Sequence, residues 1–233
     1  AAFEALAHVP FRIAAVLFLI LASASLACSI WLLTRTLDLP WQLVTSSLVL
    51  SIGLSTFLFG QLAAFELAAI AASAAAVAGR RERLAGVLAS LTLIEPHIGL
   101  FVVVATVVIV PGARITLAVG TGLLAAVALV ATGPVPQMAW VGGLSQHALA
   151  EASFEGQYSL TYVLTALGVP TRPALALGAV SALVALIAAV MVARALAQQG
   201  MRAAVVLIPT AFAGVGGTFV HLTQIGLAIA AAL

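Results

Sequence analysis

Three consecutive residues set the chemistry: Glu95, Pro96 and His97, inside the otherwise apolar run L-T-L-I-E-P-H-I-G-L. An ionisable group at membrane depth is expensive, so it normally has a partner and a purpose. A carboxylate placed there can exchange a proton with a substrate. The competing role for Glu95 is structural, satisfying backbone donors that the Pro96 break sets loose. His97 can hold a phosphate, pair with Glu95, or serve as a satisfied core histidine.

Other polar residues punctuate the chain. Gln61 can hydrogen-bond a headgroup or sugar, or cap a helix. Glu66 is five residues on, so the two do not share a helical face, and pairing with another helix suits it better than substrate binding. His147, Glu151 and Glu155 recur every four residues and share one face of a helix. Such a trio can bind a divalent metal, but a solvated polar face explains it better, and no metal or cofactor is expected. Ser159, after Gln157 and Tyr158, suits the N-cap of a short helix, whose N-terminus also accepts phosphate. His221, with Gln224 behind it, opens the last apolar run.

These residues are held by membrane helices. Of the 233 residues, 64% are hydrophobic and 7% charged, and mean hydropathy is +1.26. A soluble domain cannot hide that much apolar surface, so the chain is a polytopic membrane protein. The small basic excess is a topology signal and no nucleic-acid partner is expected. The lone Cys28 excludes an intrachain disulfide framework. The chain opens at Ala1 without a start methionine or signal peptide and stops at Leu233 inside an apolar run, so a fragment is expected.

Apolar runs predict spans at about 11–33, 41–59, 62–78, 115–131, 173–193 and 203–218, with a truncated one at 221–233. Residues 84–110 are different. Proline disfavours helix in the residue before it, so Glu95-Pro96 splits this stretch into halves too short to cross. The simplest solution is a re-entrant hairpin with Glu95, Pro96 and His97 at its tip. Broken backbone at that depth is tolerated only against protein or a wet cavity, so the tip should line one. Residues 132–172 form an extracytoplasmic loop with short helices at 145–154 and 159–167. Arg35, Arg80, Arg81, Arg83, Arg114, Arg194 and Arg202 fall inside, and only Arg12 and Arg172 outside. The expected fold class is all-α: a polytopic transmembrane helical bundle in one membrane domain, 1–233, with a re-entrant helical hairpin.

The order G-Q, then R-R-x-R-L-A-G, then x-P, then an external Q-x-S-L and a late histidine resembles the polyprenyl-phosphate-mannose-dependent mannosyltransferase family. That family belongs to the GT-C class of membrane glycosyltransferases. The resemblance runs from about Pro10 onward. Gly60-Gln61 matches the family's G-Q turn, Arg83-Leu84-Ala85-Gly86 its entry to the re-entrant segment, and Gln157-Tyr158-Ser159-Leu160 its loop motif. His221 matches the late histidine. The resemblance implies a multi-helix enzyme using a lipid-phosphate-linked sugar at the extracytoplasmic face. The family usually has Lys-Pro where this chain has Glu95-Pro96, so donor-phosphate binding falls to Arg172, His97, His147 or helix termini. It also implies a catalytic aspartate in an external loop upstream of Ala1.

The expected function is therefore transfer of a hexose or mannose from a polyprenyl-phosphate donor to a lipid or glycan acceptor, in a bacterial plasma membrane. Glu95 and His221 are the expected catalytic residues. Gln61, His97, His147, Gln157, Tyr158, Ser159 and Arg172 are the expected substrate contacts, and membrane lipids the surroundings. The rival expectation is a proton-coupled transporter or flippase-like protein, with Glu95 and His97 coupling protons to movement.

Overall fold

The computed structural model describes residues 10–53, 56–57, 61–152 and 158–217. Among these, every regular element is helical. Helix α1, Phe11–Leu37, starts after Pro10 and ends at Asp38, which takes the left-handed conformation at φ 53°. A short helix α2, Trp41–Leu48, follows Pro40 and passes into a π-helical turn, Val49–Gly53. Helix α3, Ala63–Ala78, is central: eleven of its sixteen residues are buried. Most of those are alanines. Lipid is as apolar as the helices, so association relies on close packing, and small side chains let backbones approach. Accordingly α3 packs against α1 on one side and helix α4, Glu82–Leu91, on another.

The turn between α3 and α4 explains the start of the hairpin. Arg80 adopts φ 57°, while Arg81 N–H donates to the Ala76 carbonyl at 2.8 Å. This closes α3 in the manner of a left-handed C-terminal motif and reverses the chain. Helix α4 then gives way to a 3-10 turn, Thr92–Ile94, and Glu95 is extended at φ −115°, ψ 92°. Pro96 opens helix α5, Pro96–Ile109, where its missing N–H leaves no bond unmade.

The mouth of this hairpin is pinned. The N–H of Gly112, just past α5, donates to Glu82 Oε2 at 3.0 Å, across thirty residues. Both limbs therefore begin and end at one level. The first limb rises about 15 Å as α-helix and about 6 Å as 3-10 turn. The second descends about 21 Å. Neither matches a hydrocarbon core of roughly 30 Å. The backbone over 84–110 is thus a helical hairpin that breaks at Glu95-Pro96. Gly99 lets the limbs meet, since a Cβ there would strike the Thr92 carbonyl and lie 2.8 Å from Leu93 Cα.

Helices α6, Arg114–Thr132, α7, Pro134–Glu151, α8, Leu160–Ala166, α9, Thr171–Gln198, and α10, Ala204–Gly216, complete the described chain. Three stretches, Phe11–Leu37, Pro111–Thr132 and Thr171–Gln198, are long and apolar enough to cross a membrane. Their flanks expose Ile20, Leu21, Ile115, Val130, Leu183 and Val184, surface that lipid would cover. The segment 132–172 is more helical than expected. Instead of starting near residue 145, its first helix begins at Pro134, directly after Gly133 at φ 77°. Pro134 and Pro136 fit the first turn of a helix, where proline is tolerated.

Contacts gather most arginines at one end of the bundle. Thr36 and Leu37 of α1 share a cleft with Ala78 and Arg202. Val77 shares another with Pro111, Arg194 and Arg202. Arg35, Arg80, Arg81, Arg83 and Arg114 flank these same helix ends. Arg12 and Arg172 lie at the opposite ends of α1 and α9.

Candidate functional site

A cleft of about 570 Å³ opens beside the hairpin tip. Its walls come from four places. Pro96, His97, Leu100 and Phe101 belong to the first turns of α5; Gly143, Leu144, His147 and Ala148 to α7; Ala182 to α9; and Gly217 follows α10. Most of this wall is apolar. Among the described residues its ionisable side chains are the two imidazoles, His97 and His147, which are fifty residues apart in sequence. The break at Glu95-Pro96 thus borders a cleft through Pro96 and His97.

The helices aim these groups. Glu95 carries the extended backbone of the break, and its carbonyl accepts from Ile98 N–H at 3.2 Å and Gly99 N–H at 2.9 Å. It thus acts as the N-terminal lead of α5 through its backbone. Its half-buried side chain lies next to Pro96 and His97 but is not part of the cleft wall. His97 is exposed into the cleft one residue inside α5. His147 sits a turn before the end of α7, where its Nε2 is 3.9 Å from Glu151 Oε1. That pairing is an ion pair only while the imidazole is protonated. Among the described residues, no group of three His, Cys, Asp or Glu side chains could hold a metal ion.

Two apolar residues, Leu100 and Phe101, complete the hairpin's share of the wall. A cleft of this kind suits a ligand with one charged or polar part and a larger apolar part. An imidazole can hydrogen-bond an anionic oxygen from either ring nitrogen, so two of them can bracket one phosphate or sugar group.

The remaining candidates fall elsewhere. Ser159 is buried, and its Oγ accepts from Tyr162 N–H at 3.3 Å, so it caps the seven-residue α8. Thr165 Oγ1 bonds the Ala152 carbonyl at 2.9 Å, tying α8 to the end of α7. Tyr158 is exposed, and Arg172 is exposed in the first turn of α9. Gln61 is exposed just before α3. None of the four lines the cleft. His221, Gln157, Gly60, Glu155 and Gln224 lie outside the described residues.

One residue gains weight. Glu66 is 1% exposed, the most buried acid described, and its Oε1 has no hydrogen-bond partner among the described residues. The sequence suits Glu66 to a partner on another helix, but no described residue hydrogen-bonds this oxygen. Only packing reveals the burial of Glu66, since sequence does not say which helix face is covered.

No curated protein and no solved structure matches the chain significantly. A family model does: it is described as glycosyltransferase family 87 and matches residues 1–232. That match spans every element above, including the hairpin and both histidines. With its apolar helices and its cleft at the hairpin tip, the chain is a membrane glycosyltransferase that belongs to glycosyltransferase family 87.

Proposed function

We propose that the cleft receives the sugar phosphate of a polyprenyl-phosphate donor, and that a mannosyl or other hexosyl unit passes from it to a lipid or glycan acceptor. The observation that carries this reading is the meeting of His97 and His147 in one cleft beside a break in the hairpin. The apolar wall suits the first isoprenoid carbons and the imidazoles suit the phosphate. Seven arginines belong to the opposite end of the bundle. Basic residues favour the cytoplasmic side, so the tip and cleft face the extracytoplasmic side of a bacterial plasma membrane.

In this reading the acceptor hydroxyl oxygen attacks the sugar's anomeric carbon. The bond from that carbon to the phosphate oxygen breaks, and the departing lipid phosphate keeps the electron pair. The hydroxyl proton goes to a carboxylate, for which Glu95 is the candidate. His221 is a further candidate for the reaction, and Gln61, Gln157, Tyr158 and Arg172 are candidates for holding the outer parts of donor or acceptor. Ser159 contributes by building α8.

The test uses the full-length protein in membranes with radiolabelled polyprenyl-phosphate mannose. Transfer of label to a lipid or glycan fraction, lost in His97→Ala, supports the reading. Absence of transfer from any polyprenyl-phosphate hexose, with the protein folded, overturns it.

A further inference from the structure

We propose that the cleft at the arginine-rich end of the bundle binds the phosphate of an anionic membrane lipid. This cleft, about 360 Å³, lies between the end of α5, the last turns of α9 and the start of α10. It is separate from the tip cleft and shares no described wall residue with it. Two guanidinium groups, Arg194 and Arg202, line it together with Gln198, one turn beyond Arg194 on the same face of α9. No carboxylate belongs to its described wall.

The two arginines are held differently. Arg202 is fixed: its Nε donates to the Val77 carbonyl at 3.2 Å and its Nη2 to Glu82 Oε1 at 3.3 Å. Five N–H donors on one guanidinium leave others for a ligand. Arg194 forms neither a hydrogen bond nor an ion pair with the described residues, so its whole fork is available. Paired guanidiniums match phosphate oxygens in geometry and charge.

The apolar share of the wall selects a lipid over a free anion. Val108, Ile109 and Val205 lie beside the arginines. Arg202 also borders an adjoining cleft of about 500 Å³ that includes Leu37, Leu207 and Ile208. Inorganic phosphate has nothing to place against these side chains, whereas glycerol and the first acyl carbons do. Because Glu82 holds both Arg202 and Gly112, an occupant here also braces the mouth of the hairpin.

Native mass spectrometry of the full chain in detergent tests this, with phosphatidylglycerol, phosphatidylcholine and inorganic phosphate as separate probes. The expected result is selective retention of phosphatidylglycerol. Arg194→Gln should weaken it by roughly tenfold or more, as expected for losing a charge-assisted hydrogen bond. Arg194 supports no other residue, so that variant should fold. Arg83→Gln removes an exposed charge at the same end but outside the cleft, and should bind as the parent does. Equal retention of phosphatidylcholine, equal binding of inorganic phosphate, unchanged binding by Arg194→Gln, or equal weakening by Arg83→Gln would each overturn the proposal.

Discussion

Glu82 and Gly112 join the two ends of the hairpin through a 3.0 Å hydrogen bond. The same carboxylate receives Arg202 from the start of α10 at 3.3 Å. One side chain thus ties three segments at the arginine-rich end. Glu82→Ala removes both bonds and should cost about 1–3 kcal/mol, allowing for the exposure of the pair. Thermal unfolding in detergent should register this as a lower melting temperature. Glu82→Gln, which keeps an acceptor for Gly112, should recover part of the loss. Equal melting of parent and alanine variant would remove the clamp from the account.

Gly99 permits the close approach of the two limbs. In Gly99→Ala the added methyl meets backbone at Thr92 and Leu93, which has no rotamer to escape into. Overpacking of this kind costs about 1–3 kcal/mol and spreads the limbs. The tip cleft should deform with them, so sugar transfer should fall more steeply than stability. A variant with parental activity would show that the limbs need not touch.

His97 and His147 share a cleft, so their losses should be coupled. Each alanine variant should raise the apparent KM for the polyprenyl-phosphate donor by roughly tenfold, the scale of a hydrogen bond to a charged group. The double variant should fall short of the product of the two, because one ligand group contacts both. Strict multiplication of the single effects in steady-state kinetics would place the histidines in separate sites.

Glu66 buries a carboxyl oxygen with no described partner. An unsatisfied buried oxygen costs about 1–3 kcal/mol, and an apolar isostere can relieve it. Glu66→Met should therefore melt at the same temperature or higher. Its transfer activity should drop only where this buried carboxyl takes part in the proton transfer, so unchanged turnover removes Glu66 from the mechanism. A lower melting temperature would instead mean that Glu66 holds the fold through a bonded partner.

Much of this was legible in order of residues alone. Apolar runs without lysine announced a membrane bundle, since lipid admits little else. Pro96 announced the break, because proline lacks an N–H and constrains its predecessor wherever it stands. Ser159 announced its cap by hydroxyl chemistry. Residues 134–144 misled: their glycines, prolines and polar groups resemble a loop, yet Pro134 and Pro136 fall in a first helical turn and α7 continues through them.

The sequence by itself determined where helices can lie and where one must break, because hydropathy and backbone geometry act over a few neighbours. Tertiary structure alone decided that His147 joins His97 in one cleft, that Glu66 is buried, and that Arg194 joins Arg202 in another. Those meetings depend on which helix faces touch, and helices rich in alanine carry little signal of their packing partner. In lipid that choice rests on fit between surfaces, which no local pattern encodes.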